Sequence, residues 1–238
     1  MPLRYTFKRY ELKYFLSPEQ EAALRAYMQP FMRPDDFGKS TICNLYFDTP
    51  DYRIIRRSIE KPVYKEKLRL RSYGVAQPEK IVFAELKKKY KGIVYKRRIG
   101  MRPYEAMQYL CNGVSALPQT QIKREMDYFL NFYPELKPSV CLSYDREAFF
   151  AKEDPDFRIT FDRNILWRQS DLDLSKGAYG RPVLPDDRVL MEIKTADSVP
   201  LWLTKFLSHN HIYKTAFSKY GTAYQIILQE HFGGKHYA

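Results

Sequence analysis

From Lys65 to Tyr73 the chain reads KEKLRLRSY, with a basic side chain at every second position: Lys65, Lys67, Arg69 and Arg71. Successive side chains of a strand point to opposite faces, so a strand here sets all four cations on one side and Leu68 and Leu70 on the other. The apolar face has a core to pack against. The basic face is suited to an anion.

The pattern recurs. Arg9, Glu11 and Lys13 alternate with Tyr10, Leu12 and Tyr14; Glu85 and Lys87 alternate with Val82, Ala84 and Leu86. Further on, Arg158, Thr160 and Asp162 alternate with Ile159 and Phe161, and Glu192 and Lys194 with Met191 and Ile193. One such strand is an ordinary half-exposed antiparallel strand. Five of them, with Glu11, Glu85 and Glu192 set among bases at strand centres, ask for a shared polar interior, because burying ions dry costs several kcal/mol each. The expected fold is therefore α+β: an antiparallel, tunnel-shaped β-barrel of about eight strands, closed or nearly so, with flanking helices over its apolar exterior.

At 238 residues, with no repeat, linker or low-complexity segment, the chain reads as one domain over 1–238. Its formal charge of +12 calls for an acidic partner: nucleic acid, an anionic membrane surface or a polyphosphorylated small molecule. Cys43, Cys111 and Cys141 have neither metal-ligand spacing nor disulfide-scaffold density, and read as reduced thiols. The first residues form no apolar leader, and no uncharged run reaches membrane-spanning length, so the expected location is cytoplasmic. The 20 tyrosines could stack on single-stranded nucleic acid. Most alternate with the charged residues, however, and are expected on the barrel exterior under helices, with Trp167 and Trp202 in the core.

Ser17, Pro18 and Gln20 start a helix that runs to about Met32. Ile42 to Asp48 is a predicted strand, and Asp48, Thr49 and Pro50 open a short helix toward Arg57. Strands follow over Lys65–Ser72, Val82–Lys89 and Ile93–Ile99, the last two joined by a turn at Lys91 and Gly92. Helices span Arg102–Leu110 and Thr120–Phe132, and strands Ser139–Phe149, Phe157–Asp162 and Val189–Thr195. Arg168 to Arg188 reads as a mobile loop. Helices over Trp202–Leu207 and Phe217–Leu228 finish the chain.

The segments RYELKYFL, LYFDT, LRLRSYG, FAELKKKYKGIVYKRR, SYDREAFF, RITFD, LMEIKT and FSKYGTAY occur in the order and approximate spacing of the VTC catalytic domain. The chain resembles the bacterial branch of that family, the polyphosphate polymerase domain of the CYTH-like triphosphate tunnel metalloenzymes, from Arg9 to about Tyr224.

The resemblance implies a tunnel that takes the terminal phosphate of ATP, with Mn²⁺ or Mg²⁺, and adds it to a growing polyphosphate chain. Lys13 in ELKYF resembles the family's first phosphate-binding lysine, and Arg69 and Arg71 its RLR pair. Lys87 and Lys96 match the lysines of the next two strands, with Arg97 the alternative to Lys96. Arg146 and Arg158 resemble the later arginines, Glu192 the metal-binding glutamate and Lys219 the lysine of the closing helix; Lys194 lies beside the same phosphates. Glu11 and Glu85 are metal ligands or structural ion-pair partners. Lys65, Lys88, Lys89 and Arg98 are expected on a solvated surface.

One departure stands out. Tunnel triphosphatases open with E-x-E-x-K, and here Arg9 holds the first acidic position. This favours polymerase over two-metal hydrolase chemistry. No G-x-x-x-x-G-K-[ST], G-x-G-x-x-G or H-E-x-x-H motif is present, and His209, His211, His231 and His236 fall outside the predicted strands. The expected partners are ATP and inorganic polyphosphate, with no nucleic acid and with room for a membrane partner protein. A tunnel phosphohydrolase and a non-catalytic polyanion-binding module are the alternatives.

Overall fold

The computed structural model describes residues 10–91, 93–184 and 187–232, the side chain of Phe232 excepted. Arg9, Gly92 and His236 lie outside the described residues. Alternation becomes one antiparallel sheet of ten strands: β1 (Tyr10–Leu16), β2 (Met32–Pro34), β3 (Ser40–Asp48), β4 (Tyr64–Tyr73), β5 (Val82–Tyr90), β6 (Ile93–Met101), β7 (Lys137–Ala151), β8 (Arg158–Arg168), β9 (Arg181–Pro182) and β10 (Val189–Thr195). Among the described residues six α-helices accompany it: α1 (Pro18–Met28), α2 (Arg53–Ile59), α3 (Pro103–Asn112), α4 (Gln121–Phe132), α5 (Leu201–His209) and α6 (Lys219–Phe232). The strand order is β1-β10-β8-β7-β3-β4-β5-β6, with β2 attached to β7 and β9 to β8. The main path thus has the expected strands, and the two additions are too short for alternation to announce.

The sheet is curled but not closed, since β1 and β6 remain its two ends. At about 4.8 Å per strand a flat sheet would hold β1 and β5 roughly 29 Å apart. Instead Lys87 Nζ on β5 lies 2.8 Å from Glu11 Oε2 on β1. The edge of β1 is covered by the segment before α6: Thr215 N–H donates to the Lys13 carbonyl at 2.8 Å, and Lys214 bridges Tyr14. That contact supplies partners to backbone groups an open edge would expose.

Apolar faces decide where the helices go. Leu68, Leu70, Ala84 and Leu86 are buried beneath Tyr109, Met126 and Phe129 of α3 and α4. Leu16, Phe161, Met191 and Ile193 pack with Leu24 and Met28 of α1 and Leu203 and Phe206 of α5. A third cluster is on the concave side: Tyr46, Leu142 and Tyr144 meet Tyr220, Ala223, Tyr224 and Ile227 of α6. One end of the lumen is therefore filled by α6, the end where β3 stops and β4 begins, because Tyr220 Oη donates to Asp48 Oδ2 at 2.8 Å.

Several boundaries differ from expectation. The first helix has its capping box, Gln20 N–H to Ser17 Oγ at 3.2 Å and Ser17 N–H to Gln20 Oε1 at 3.0 Å, but it ends at Met28 rather than Met32. Pro30 lacks the N–H that another turn requires, and Met32 opens β2. The short helix α2 starts at Arg53, not at Asp48; the Asp48 carboxylate accepts the N–H groups of Thr49, Ile54 and Ile55 from below. Arg168 to Arg188 is not the free loop expected. Arg168 donates to the carbonyls of Asp171, Asp173, Gly177 and Tyr179, Leu174 is buried in the first cluster, and β9 pairs with β8. Gly180 makes that pairing possible, since a Cβ there would lie 2.3 Å from the Trp167 carbonyl oxygen. Trp167 is in the core, while Trp202 is half-buried and stacks on Phe31 at 4.6 Å. Among the described residues no helix is long and apolar enough to cross a membrane.

Candidate functional site

Register places the charged alternations on the concave face. Across β4, β5 and β6, Lys67, Lys87 and Lys96 form one row and Arg69, Glu85 and Arg98 the next. Glu85, only 1% exposed, is surrounded by cations. Arg69 donates Nε and Nη2 to its Oε2 at 2.9 and 2.8 Å, Arg98 donates Nε to Oε1 at 2.8 Å, Lys96 Nζ stands 2.7 Å away and Arg71 Nε 3.8 Å. Burial pushes the Glu85 carboxyl up, but Arg69, Arg71 and Lys96 prevail and hold it far below the usual carboxylate range. Both oxygens are occupied, which is the ion-pair role.

This corrects the expectation for Arg98, which faces the lumen because it is two residues from Lys96 on the same strand. Arg97 points outward to Glu125 of α4 at 3.0 Å, as does Lys88 at 3.3 Å, so Lys96 is the lumen lysine. Lys65 donates to the Ser58 carbonyl at 3.3 Å near the α6 end. The tyrosines divide: Tyr46 accepts from Arg69 Nη1 at 3.1 Å and Tyr144 from Arg71 Nη2 at 3.0 Å, inside rather than on the barrel exterior.

A second network joins β1, β10, β8, β7 and α6. Arg146 makes a two-pronged pair with Asp162 at 2.5 and 2.6 Å. Lys219, at the start of α6, donates to Asp162 Oδ2 at 2.6 Å and to Glu192 Oε1 at 3.2 Å. Arg146 Nη2 and Lys13 Nζ approach Glu192 at 3.4 and 3.6 Å. For the buried Glu192, desolvation opposes charge, yet Lys219, Lys13 and Arg146 hold its carboxyl well below the ordinary range. Asp162 is not among the site residues the resemblance marks, although it shares the strand face of Thr160 and Arg158. Arg158 stands apart at the start of β8, 3.2 Å from Asp35 and over the Phe150 ring at 4.7 Å.

Between the networks lie Glu11, Lys87, Lys194 and Lys67. Burial raises the Glu11 carboxyl, but Lys87 and Lys194 outweigh it and lower it to about 2; Lys194 Nζ is 4.0 Å away. Lys67 has no carboxylate within ion-pair distance among the described residues and donates to Ser218 Oγ at 2.9 Å. Burial, then Lys13 and Lys87, lower its ammonium to about 7. Burial likewise lowers Lys96 and Lys194, each to about 8, against the pull of Glu85 and Glu192 respectively. Lys67 was visible in the opening alternation and belongs with the candidate site.

Hard divalent cations take oxygen ligands. Glu192 and Glu11 offer carboxylates on the concave face, and Thr160, the cross-strand partner of Glu192, keeps a buried hydroxyl without a hydrogen bond. Among the described residues no cluster of three His, Cys, Asp or Glu side chains is close enough to hold a metal. Both oxygens of Glu192 already face Lys219, Lys13 and Arg146, so a bound cation would compete with these and would need substrate or water oxygens to complete its shell.

A curled antiparallel sheet lined by interlocked cations and carboxylates, with five helices outside and α6 in one end of the lumen, has the fold of the triphosphate tunnel proteins. A candidate adenylate cyclase of Bacillus halodurans shares it at 16% identity, with 89% of this chain and 95% of that one covered and a TM-score of 0.56. So does HpAC1 of Hippeastrum, a candidate adenylyl cyclase with a dominant triphosphatase activity, at 18% identity, 88% and 92% coverage and a TM-score of 0.55. The chain belongs to the VTC domain family, whose sequence model matches residues 8–228. No curated protein matches it.

Proposed function

We propose that this protein is a metal-dependent polyphosphate polymerase that transfers the terminal phosphate of ATP to a growing polyphosphate chain. The observation that carries it is the excess of lumen cations over lumen carboxylates within a VTC domain. Among the described residues, Lys67, Lys96, Arg98, Arg146 and Lys219 join Lys13, Arg69, Arg71, Lys87 and Lys194 around Glu11, Glu85, Asp162 and Glu192. The surplus exceeds the roughly four negative charges that a nucleoside triphosphate carries near neutral pH, which leaves positive charge for the phosphates of an acceptor chain as well.

Phosphoryl transfer needs in-line positioning and neutralisation more than covalent help. Arg69, Arg71, Arg98 and Arg146 present planar forks to phosphate oxygens, and Lys13, Lys67, Lys87, Lys96, Lys194 and Lys219 add point charges. A terminal oxygen of the acceptor attacks the γ-phosphorus, the bond to the β–γ bridging oxygen breaks, and ADP leaves. Glu192, with Glu11 and the Thr160 hydroxyl, would hold Mn²⁺ or Mg²⁺, which when bound neutralises phosphate oxygens. Glu85 acts as the counter-ion that aims four cations. Arg158, at the rim, meets the chain on its way in or out. The three free thiols suit a reducing cytoplasm.

Incubation of the purified protein with ATP and Mn²⁺ tests this: a ladder of polyphosphate with stoichiometric ADP is expected. Free phosphate without polymer would move the assignment to the hydrolase activity known for HpAC1. Binding without turnover would leave a polyanion-binding module.

A further inference from the structure

The lumen changes character toward the end that α6 leaves open. Along the concave face of β4 the series Lys65, Lys67, Arg69, Arg71 finishes at Tyr73, and on β5 the series Lys87, Glu85 finishes at Phe83, paired with Gly100 of β6. Tyr73 is 51% exposed, unusual for a large ring on a concave face. Its ring meets Phe83 edge to face at 5.9 Å. The Arg98 guanidinium covers Phe83 at 4.4 Å and donates Nη2 to Tyr73 Oη at 3.0 Å, while its Nε holds Glu85. Arg98 is thus the joint between the charged floor and the aromatic rim. Gly100 preserves the arrangement: a Cβ there would come within 3.0 Å of Ile81 Cγ2 and 3.4 Å of Phe83 Cε1, displacing the ring.

A triphosphate lying along Arg69, Arg71 and Arg98 must send its organic end out of one mouth. The α6 mouth is filled by Tyr220, Tyr224 and Ile227. The other is rimmed by Tyr73, Phe83 and Arg98, rings with a guanidinium, which recognise a flat π-system by stacking and cation–π contact. We infer that Tyr73, with Phe83 and Arg98, forms a nucleobase platform that makes the lumen prefer nucleoside triphosphates over inorganic tripolyphosphate. The inference rests on the triphosphate assignment of the lumen. Stacking accepts any base, so purines should exceed pyrimidines through their larger area without strict choice among them.

Equilibrium binding of ATP and of inorganic tripolyphosphate, each to the parent protein, Tyr73→Ala and Tyr73→Phe, tests it. Tyr73 is exposed, so truncation spares the core. Tyr73→Ala should weaken ATP about tenfold, within the usual range for loss of one stacked base, and leave tripolyphosphate unchanged. Tyr73→Phe keeps the ring but loses the hydroxyl that anchors Arg98, and should retain the ATP preference. Equal losses for both ligands in Tyr73→Ala would make Tyr73 a mere support for Arg98 and overturn the platform, as would ATP binding unaffected by the truncation. A parent protein that binds neither ligand would instead defeat the triphosphate assignment, and the platform with it.

Discussion

At the residue scale, Glu192 and Lys67 represent opposite solutions to burying charge. Glu192 is surrounded by Lys219, Lys13 and Arg146, and stays ionised despite burial. Glu192→Gln keeps the shape and removes the charge. Turnover of ATP with Mn²⁺ should fall by at least about a hundredfold, as expected on losing an electrostatic partner of the reacting phosphate. Binding of pyrophosphate should hold or tighten, because one repulsive charge is gone. Polymer synthesis at the parent rate would refute the metal assignment. Lys67 has no such acid among the described residues, and its ammonium is lowered to about 7 by burial and by Lys13 and Lys87. Between pH 7 and its ordinary value the folded protein therefore binds fewer protons at this site than the unfolded chain, and the Lys67 contribution to stability rises with pH across that window. A bound polyanion favours the ammonium, so it raises this value and draws a proton in. At pH 8 calorimetry in buffers of different ionisation heat should show net proton uptake on binding tripolyphosphate, with less in Lys67→Met, and affinity should decline as pH rises above 7. Heats independent of buffer would contradict this.

At the element scale, α6 shows what sequence pattern could and could not deliver. Strands such as β4, β5 and β10 were legible because a period of two separates a charged face from an apolar one, and Lys13, Arg69, Arg71, Lys87, Lys96, Glu192 and Lys194 landed on the concave side for that reason. Arg98 and Asp162 obeyed the same period and were recoverable from it, one residue pair beyond Lys96 and Thr160. The insertion of α6 into the lumen was not legible, since it depends on Tyr220 meeting Asp48 and Ser139 and stacking on Tyr46 at 4.6 Å, contacts far apart in sequence. The folded excursion after β8 was hidden likewise, because one side chain, Arg168, organises it by binding carbonyls. Those α6 contacts predict a phenotype. Tyr220→Phe removes the hydroxyl that the buried Asp48 accepts, at a cost of about 1–3 kcal/mol, read as a lower urea midpoint with an unchanged slope. Because Lys219 precedes it and bridges Asp162 and Glu192, tripolyphosphate binding should weaken too. A variant of parental stability would mean that α6 is held by its apolar contacts alone.

At the scale of the whole molecule, the curled sheet keeps like charges close. Carboxylates on β1, β5, β8 and β10 offset part of this repulsion, and the remainder is available to any ligand that brings negative charge in the right geometry. A ligand bound only by the native state stabilises it by about 2.7 kcal/mol at a hundred times its dissociation constant. For a domain of this size each kcal/mol moves the melting temperature by about 2–4 °C. Tripolyphosphate at that concentration should therefore raise the midpoint by roughly 5–11 °C. Sulfate at equal ionic strength screens charge but cannot span the rows from Arg69 to Lys219, and should raise it much less. Variants that remove one cation, such as Arg69→Ala, should lose part of the tripolyphosphate shift while keeping the small sulfate response. If sulfate matched tripolyphosphate in the parent protein, the gain would be general screening of a +12 chain, and the lumen would not be a polyphosphate site; if RNA exceeded both, the basic surface would be the binding face.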